Sequence, residues 1–272
     1  MIFLSHYLDE QLIRGRSYFS KEEAVKTLGC NTEAFTAAAS RLIGKQKLVC
    51  PWRGFYVILR PEDRVTGAPD PVRWIDPLMK YLKLDYRISL LRAAAFYGAS
   101  HQAAMVFQVV APKQLRSFEI GRHRIQFIYQ TPAAFVETNK PDWLKQLKSE
   151  TGFAQVAGAE LVLLDCVRYF HSAGGLDGLA QIVHDLGRKA DPRKLAKAAE
   201  LYENSAVRRL GYLLEHFGHD RQSVALLRFV ENAKSMKPLD PSAQPPIAEF
   251  DRPVEVDRKW MLRINQSVEV DL

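Results

Sequence analysis

The sequence predicts an α+β fold, and three observations predict it. A helix–turn–helix pattern followed by a strand–turn–strand signal fills the first 60 residues. A proline-rich break then closes that stretch. Beyond it, strand-like runs between about 106 and 139 precede a helical stretch from about 158 to 217, so that strands and helices are segregated. At 272 residues, with 47% hydrophobic and 25% charged residues, the chain is long enough for two or three domains that each bury a core.

Ser20-Lys21-Glu22-Glu23 has the spacing of a capping box, in which the serine hydroxyl and the glutamate satisfy free amides at a helix start. Ala24, Val25 and Leu28 continue at helical spacing until Gly29-Cys30-Asn31 interrupts them. A second helix is expected from about Thr32, with Phe35, Ala38, Ala39, Leu42 and Ile43 on its apolar stripe. Its other face carries Thr32, Glu33, Thr36, Ser40 and Arg41, short or charged groups suited to base edges. Leu48-Val49-Cys50 and Phe55-Tyr56-Val57-Ile58 then flank Pro51-Trp52-Arg53-Gly54, which reads as a hairpin with its turn formers in the loop.

Two short helices and a basic hairpin in this order are the layout of a winged helix-turn-helix, a DNA reader. Charge agrees: residues 1–61 hold nine Lys/Arg against five Asp/Glu, and Lys45, Lys47 and Arg53 gather around the hairpin. Cations so placed supply orientation and sequence-independent affinity on phosphates, while the helix face supplies sequence choice. The candidate DNA-contacting residues are therefore Thr32, Glu33, Thr36, Ser40, Arg41, Lys45, Lys47, Trp52 and Arg53. For each polar residue of the helix, a plain solvated face is the competing explanation. For Trp52 the alternative is that the ring anchors the hairpin to the domain core.

Pro61 to Pro71 places three prolines and a glycine in eleven residues and reads as a linker over 62–71, separating a domain of residues 1–61 from a larger one over 72–272. A further division of the larger domain near 150–158 stays open. Its expected elements are helices over about 74–84 and 89–97, the first starting at an Asp76-Pro77 pair. Strands follow at 106–110 and 125–129, with another at 136–139. Helices are expected from 158, over 176–187, 192–203 and 205–217, and a terminal strand around 260–270.

The net charge of +7 points to an anionic partner. Basic residues recur in the body, at Lys113, Arg116, Arg122 and Arg124, at Arg188, Lys189, Arg193, Lys194 and Lys197, and at Arg208-Arg209. Solvated faces and charge-protected sheet edges are the commoner explanation of such clusters. Three widely spaced cysteines without a Cys-x-x-Cys pair fit a reducing cytoplasm, and no run of about 18 apolar residues or secretory leader is present.

Enzyme signatures are sparse. His216 and His219, with Asp220 adjacent, lack a third ligand and mark a helix C-terminus, where histidine suits the dipole. Asp257-Arg258-Lys259, with Asp251 upstream, has a spacing that some metal-dependent nucleases use, and a DNA nuclease is the first rival reading. A protein-interaction module built on the winged helix is the second. Asp165, on an apolar helical run, is expected to pair with Arg168 on the same face. No cofactor, metal site or catalytic residue is expected.

Several blocks in order carry a family resemblance. Ile88-Ser89-Leu90-Leu91-Arg92-Ala93-Ala94-Ala95-Phe96-Tyr97-Gly98-Ala99-Ser100-His101-Gln102 precedes Val106-Phe107-Gln108-Val109-Val110. Then come Leu163-Leu164-Asp165-Cys166-Val167-Arg168-Tyr169 with Gly174-Gly175-Leu176-Asp177, and finally Ala206 to Glu215. In these the chain resembles the AbiEi antitoxins, the transcriptional-regulator partners of type IV (abortive infection) toxin–antitoxin systems. The resemblance implies an autorepressor whose N-terminal domain binds inverted repeats in its own promoter, as a dimer or as monomers assembling on the DNA. It also implies a C-terminal domain that counteracts a nucleotidyltransferase-like toxin without a stable complex. It does not reach the tail after about residue 230.

Overall fold

The computed structural model describes residues 3–99, 106–150, 152–243, 255–268 and 270. It is a mixed α+β structure whose strands form three sheets. The chain makes two compact units, each assembled from three stretches: Met1–Ile88, Met105–Pro132 and Gln146–Val156 in the first, Ser89–Ala104, Ala133–Lys145 and Ala157–Leu272 in the second.

In the first unit, α1 (Leu4–Ile13) leads to β1 (Tyr18–Ser20), α2 (Lys21–Leu28), α3 (Thr32–Gly44) and the hairpin β2 (Leu48–Trp52)–β3 (Phe55–Ile58). These strands form an antiparallel sheet in the order β1-β3-β2. Ser20 caps α2 by accepting from the Glu23 amide at 3.1 Å. The reciprocal half of the expected capping box does not form, because the Glu23 carboxylate is held by the Arg16 guanidinium at 2.6 and 3.1 Å. Asn31 caps α3 by accepting from the Ala34 amide at 2.7 Å. Leu4, Tyr7, Leu8, Phe19, Ala24, Phe35, Ala39, Leu48, Tyr56 and Ile58 close one apolar core, with Tyr7, Phe35 and Tyr56 ringed around Phe19 and each other. Ile43, expected on the apolar stripe of α3, is 40% exposed, whereas its neighbour Leu42 packs against the core.

The same unit continues through α4 (Ile75–Tyr81) into a six-stranded sheet. Its strands are β4 (Arg87–Ile88), β5 (Val106–Ala111), β6 (Phe118–Ile120), β7 (His123–Tyr129), β8 (Leu144–Ser149) and β9 (Gly152–Ala157), in the order β6-β7-β5-β4-β9-β8. Pairings of β5 with β7 and of β4 with β9 are parallel, and those of β4 with β5 and of β6 with β7 antiparallel. Residues 62–71, expected as a linker, lie within this unit. Arg122 donates its amide to the Thr66 carbonyl at 2.8 Å, and Gly121 lies so close that an added Cβ would stand 2.2 Å from the Thr66 oxygen. Ion pairs join Arg73 to Asp63 at 2.9 Å and both Arg73 and Arg60 to Glu150 at 3.0 and 2.9 Å. Asp76 is not a cap but an internal residue of α4, paired with Lys80 at 2.6 Å and accepting from the Tyr86 hydroxyl at 3.2 Å.

The second unit is helical, with a small sheet at its C-terminal end. Its helices are α5 (Leu90–Phe96), α6 (Pro132–Thr138), α7 (Ala159–Arg168), α8 (Gly175–Leu186), α9 (Pro192–Ala199), α10 (Asn204–His216), α11 (Asp220–Leu226) and α12 (Arg228–Glu231). Residues 136–139, expected as a strand, belong largely to α6, because Pro132 opens a helix that Thr138 continues by donating its hydroxyl to the Ala134 carbonyl. Central helix α7 buries every residue from Leu161 to Val167. Asp165 is fully buried there, accepting from the Ser89 hydroxyl at 2.6 Å and the Tyr202 hydroxyl at 2.7 Å. Its expected partner, Arg168, instead pairs with Glu203 at 3.1 Å.

Strands β10 (Lys237–Pro238), β11 (Glu255–Asp257) and β12 (Leu262–Ile264) form the third sheet, in the order β10-β12-β11. It is held to α10 by buried Trp260, whose ring occupies the space a side chain at Gly211 would need, 2.1 Å from that position's added Cβ. The indole N–H donates to Glu215 at 2.6 Å. Arg208 donates to the carbonyls of Met261 at 2.8 Å, Trp260 at 3.3 Å and Ser235 at 3.2 Å.

Candidate nucleic-acid interface

Helix α3 is amphipathic, and its burial divides the two faces. Phe35 and Ala39 face the core, while Thr32, Glu33, Thr36, Ser40 and Arg41 are all exposed. Spacing of four residues puts Thr32, Thr36 and Ser40 in one row along the helix surface. The Thr36 hydroxyl is already committed: it donates to the Thr32 carbonyl at 2.7 Å and accepts from the Lys21 ammonium at 3.2 Å. That leaves the Thr36 methyl group outward-facing for contact. Lys21, at the start of α2, thereby joins the polar face of α3. Sequence reasoning missed it, since a contact 15 residues apart across two helices has no local signature.

Exposed Lys45 and Lys47 follow the end of α3, and exposed Arg53 lies in the hairpin turn. The turn is tighter than expected: Pro51 and Trp52 belong to β2, and only Arg53-Gly54 connects the strands. Gly54 has φ +83, the left-handed region that glycine adopts without penalty. Trp52 is half-buried, with its ring edge-on to Phe118 at 6.1 Å and to Phe127 at 6.3 Å between centroids. The ring is therefore spent on packing the hairpin against β6 and β7, and only Arg53 presents a free side chain at the turn.

The other basic clusters divide by burial. Lys113, Arg116, Arg122 and Arg124 in the first unit, and Arg188, Lys189, Arg193, Lys194 and Lys197 in the second, are exposed. Arg208 is 2% exposed and spent on the three carbonyls of the C-terminal sheet, and burial holds the Arg209 guanidinium below its ordinary pKa. The pair Arg208-Arg209 is structural.

The nuclease-like constellation does not assemble. The Asp257 carboxylate accepts from the Trp260 amide at 2.6 Å as a local turn cap, and Lys259 pairs with Glu215. Asp251 lies outside the described residues. His216 ends α10, as expected, and His219 lies buried beyond it, its Nε2 3.0 Å from the His184 carbonyl oxygen. Among the described residues no group of three or more His, Cys, Asp or Glu is placed to hold a metal, and no helix is long and apolar enough to cross a membrane.

Comparison with known proteins gives matches of two kinds. No curated protein matches the sequence. In backbone the chain is similar to the crystal structure of the RV2827C protein from Mycobacterium tuberculosis, with a TM-score of 0.63 and 15% identity over 96% of this chain and 90% of that one. At that identity the likeness is one of fold. Residues 87–216, which run from β4 to the end of α10, match the AbiEi antitoxin C-terminal domain. Over residues 87–216 the chain is therefore similar to the AbiEi antitoxins, through their C-terminal domain.

Proposed function

We propose that the protein is a DNA-binding autorepressor and the antitoxin of a type IV toxin–antitoxin operon. In this reading residues 1–61 are a winged helix-turn-helix that reads operator DNA with α3. The observation that carries it is the division of α3, with Phe35 and Ala39 in a closed core and Thr32, Glu33, Thr36, Ser40 and Arg41 exposed, and with Lys45 and Lys47 at its C-terminal end. Such a helix lies in a major groove with its short side chains on base edges and its flanking cations on phosphates. Thr32, Glu33 and Ser40 offer hydrogen-bonding groups and Thr36 a methyl, while Arg41, Lys45, Lys47 and Arg53 serve the backbone.

One copy presents one α3, and one α3 reads one half-site. An inverted repeat therefore takes two copies, as a dimer or as monomers assembling on the DNA. The AbiEi domain supports an antitoxin role, which we extend to opposition of a nucleotidyltransferase-like toxin in the cytoplasm without a stable complex. The test of the DNA reading is a gel shift of the full-length protein on the duplex upstream of its own reading frame. A saturable shift at low salt, competed poorly by unrelated duplex, is expected; no shift of that fragment at low salt refutes the repressor reading. The antitoxin role is read separately, by rescue of cell growth on co-expression with a nucleotidyltransferase-like toxin, should one be encoded beside it.

A further inference from the structure

The Arg53-Gly54 turn is held from three sides within the first unit. The Tyr81 hydroxyl, at the end of α4, donates to the Arg53 carbonyl at 3.2 Å. The Lys21 amide donates to the Gly54 carbonyl at 2.8 Å. Trp52 meets Phe118 and Phe127 edge-on just before the turn. The phenol lies directly over Gly54, where an added Cβ would stand 2.5 Å from its oxygen, and the Tyr81 ring packs on Phe55 at 5.6 Å between centroids. Hairpin turns with free ends adapt to their ligand; this one has both peptide carbonyls occupied and its glycine covered. What projects from it is the Arg53 side chain, exposed and at one end of a fixed backbone.

We propose that Tyr81 is a positioning residue for Arg53: it presets the backbone of the wing turn so that the Arg53 side chain leaves it from one fixed position toward DNA, without touching DNA itself. The inference rests on the DNA-binding reading above and adds a residue from outside the helix–turn–helix and wing. A preset turn backbone loses less conformational freedom on binding, which is where the gain in affinity arises. Nothing in the local sequence marks Tyr81, because the hydrogen bond spans 28 residues.

A double-mutant cycle separates positioning from a merely structural role. Full-length wild type, Tyr81→Phe, Arg53→Ala and the double variant are titrated by fluorescence anisotropy against the upstream duplex across a salt series. Tyr81→Phe keeps the ring on Phe55 and removes the donor, and is expected to weaken binding about three- to fivefold. Arg53→Ala is expected to weaken it more and to lower the log–log salt slope by about one. The decisive result is the double variant, which should bind as Arg53→Ala alone. Equal losses from Tyr81→Phe with and without Arg53, or no loss at all, overturn the proposal while wild-type binding still upholds the DNA reading. Absence of wild-type binding overturns the DNA reading itself, and the proposal with it.

Discussion

Replacing Trp260 with alanine tests how the C-terminal sheet is held to the AbiEi domain. The indole is fully buried in the space left by Gly211, so nearly all of its surface leaves water on folding. A buried tryptophan removes about 200 Å², which at about 25 cal/mol per Å² is an upper bound of about 5 kcal/mol. Alanine keeps a small part of that, and large-to-alanine substitutions in cores cost about 3–5 kcal/mol. The Glu215 carboxylate also loses its indole donor, though Lys259 remains beside it. We therefore expect Trp260→Ala to cost about 4 kcal/mol in denaturant unfolding of the second unit. Trp260→Phe, which keeps most of the packing and loses the N–H, should cost about 1–2 kcal/mol. Hydrogen exchange adds the spatial readout: amides of β12 should lose protection in Trp260→Ala, while those of α2 and α3 keep theirs. A cost below about 1 kcal/mol, or a loss of protection spread evenly over the chain, refutes the account of Trp260 as the anchor.

Lys47→Ala should weaken binding to all duplexes and reduce the salt slope by about one, whereas Ser40→Ala should change base preference with the slope unchanged; salt-series titrations on operator and scrambled duplexes separate the two. His219 is held below its ordinary pKa mainly by burial, against which the His184 and Val183 carbonyls pull and to which Arg188 and His184 add. A depressed histidine pKa means that the unfolded chain binds the proton more tightly. Its stabilising contribution is therefore full above about pH 6.5 and is lost as pH falls through the lower folded value. His219→Gln should flatten the stability–pH curve in that window, as measured by denaturant midpoints at a series of pH values. Asp257→Ala removes a turn cap and should cost about 1–2 kcal/mol. Neither it nor the wild type should cleave duplex DNA with divalent metal, as read on supercoiled plasmid.

What was legible in the sequence was what neighbours decide. Ser20 caps its helix, the strands around Arg53-Gly54 pair as expected, and α8 and α10 begin and end within two residues of their expected bounds. Of the elements that were hidden, three show separate reasons. Helix α1 has only Leu4, Tyr7, Leu8 and Gln11 on its buried face, too short a stripe to stand out. Strand β8 is an edge strand with exposed Lys145, Gln146 and Lys148, so it carries no apolar run. Phe135-Val136 reads as strand by composition, although the preceding Thr131-Pro132 carries a helix start. Partners far apart in sequence were beyond reach. Asp165 takes its hydrogen bonds from residues 76 and 37 positions away, which no helical spacing foretells. The open choice for Trp52 depended on aromatic residues in β6 and β7. In the candidate interface, the row along α3 was readable from its period, while Lys21 and Tyr81 were not.

The interleaving of the two units has a practical bearing on dissection of the protein. Each unit is built from three stretches of chain, and the second begins at Ser89, before the first ends at Val156. No single cut releases either one whole. A fragment ending at residue 61 strands Trp52 without the aromatic residues that cover it and leaves Tyr81 behind. A fragment matching 87–216 takes with it the sheet strands β4–β9, cut off from α4 and the residues before it, and leaves Arg208 without the carbonyls of Ser235, Trp260 and Met261. Truncation would thus confound loss of a function with loss of a fold, and testing the proposed repression and antitoxin roles part by part calls for point substitutions in the intact protein.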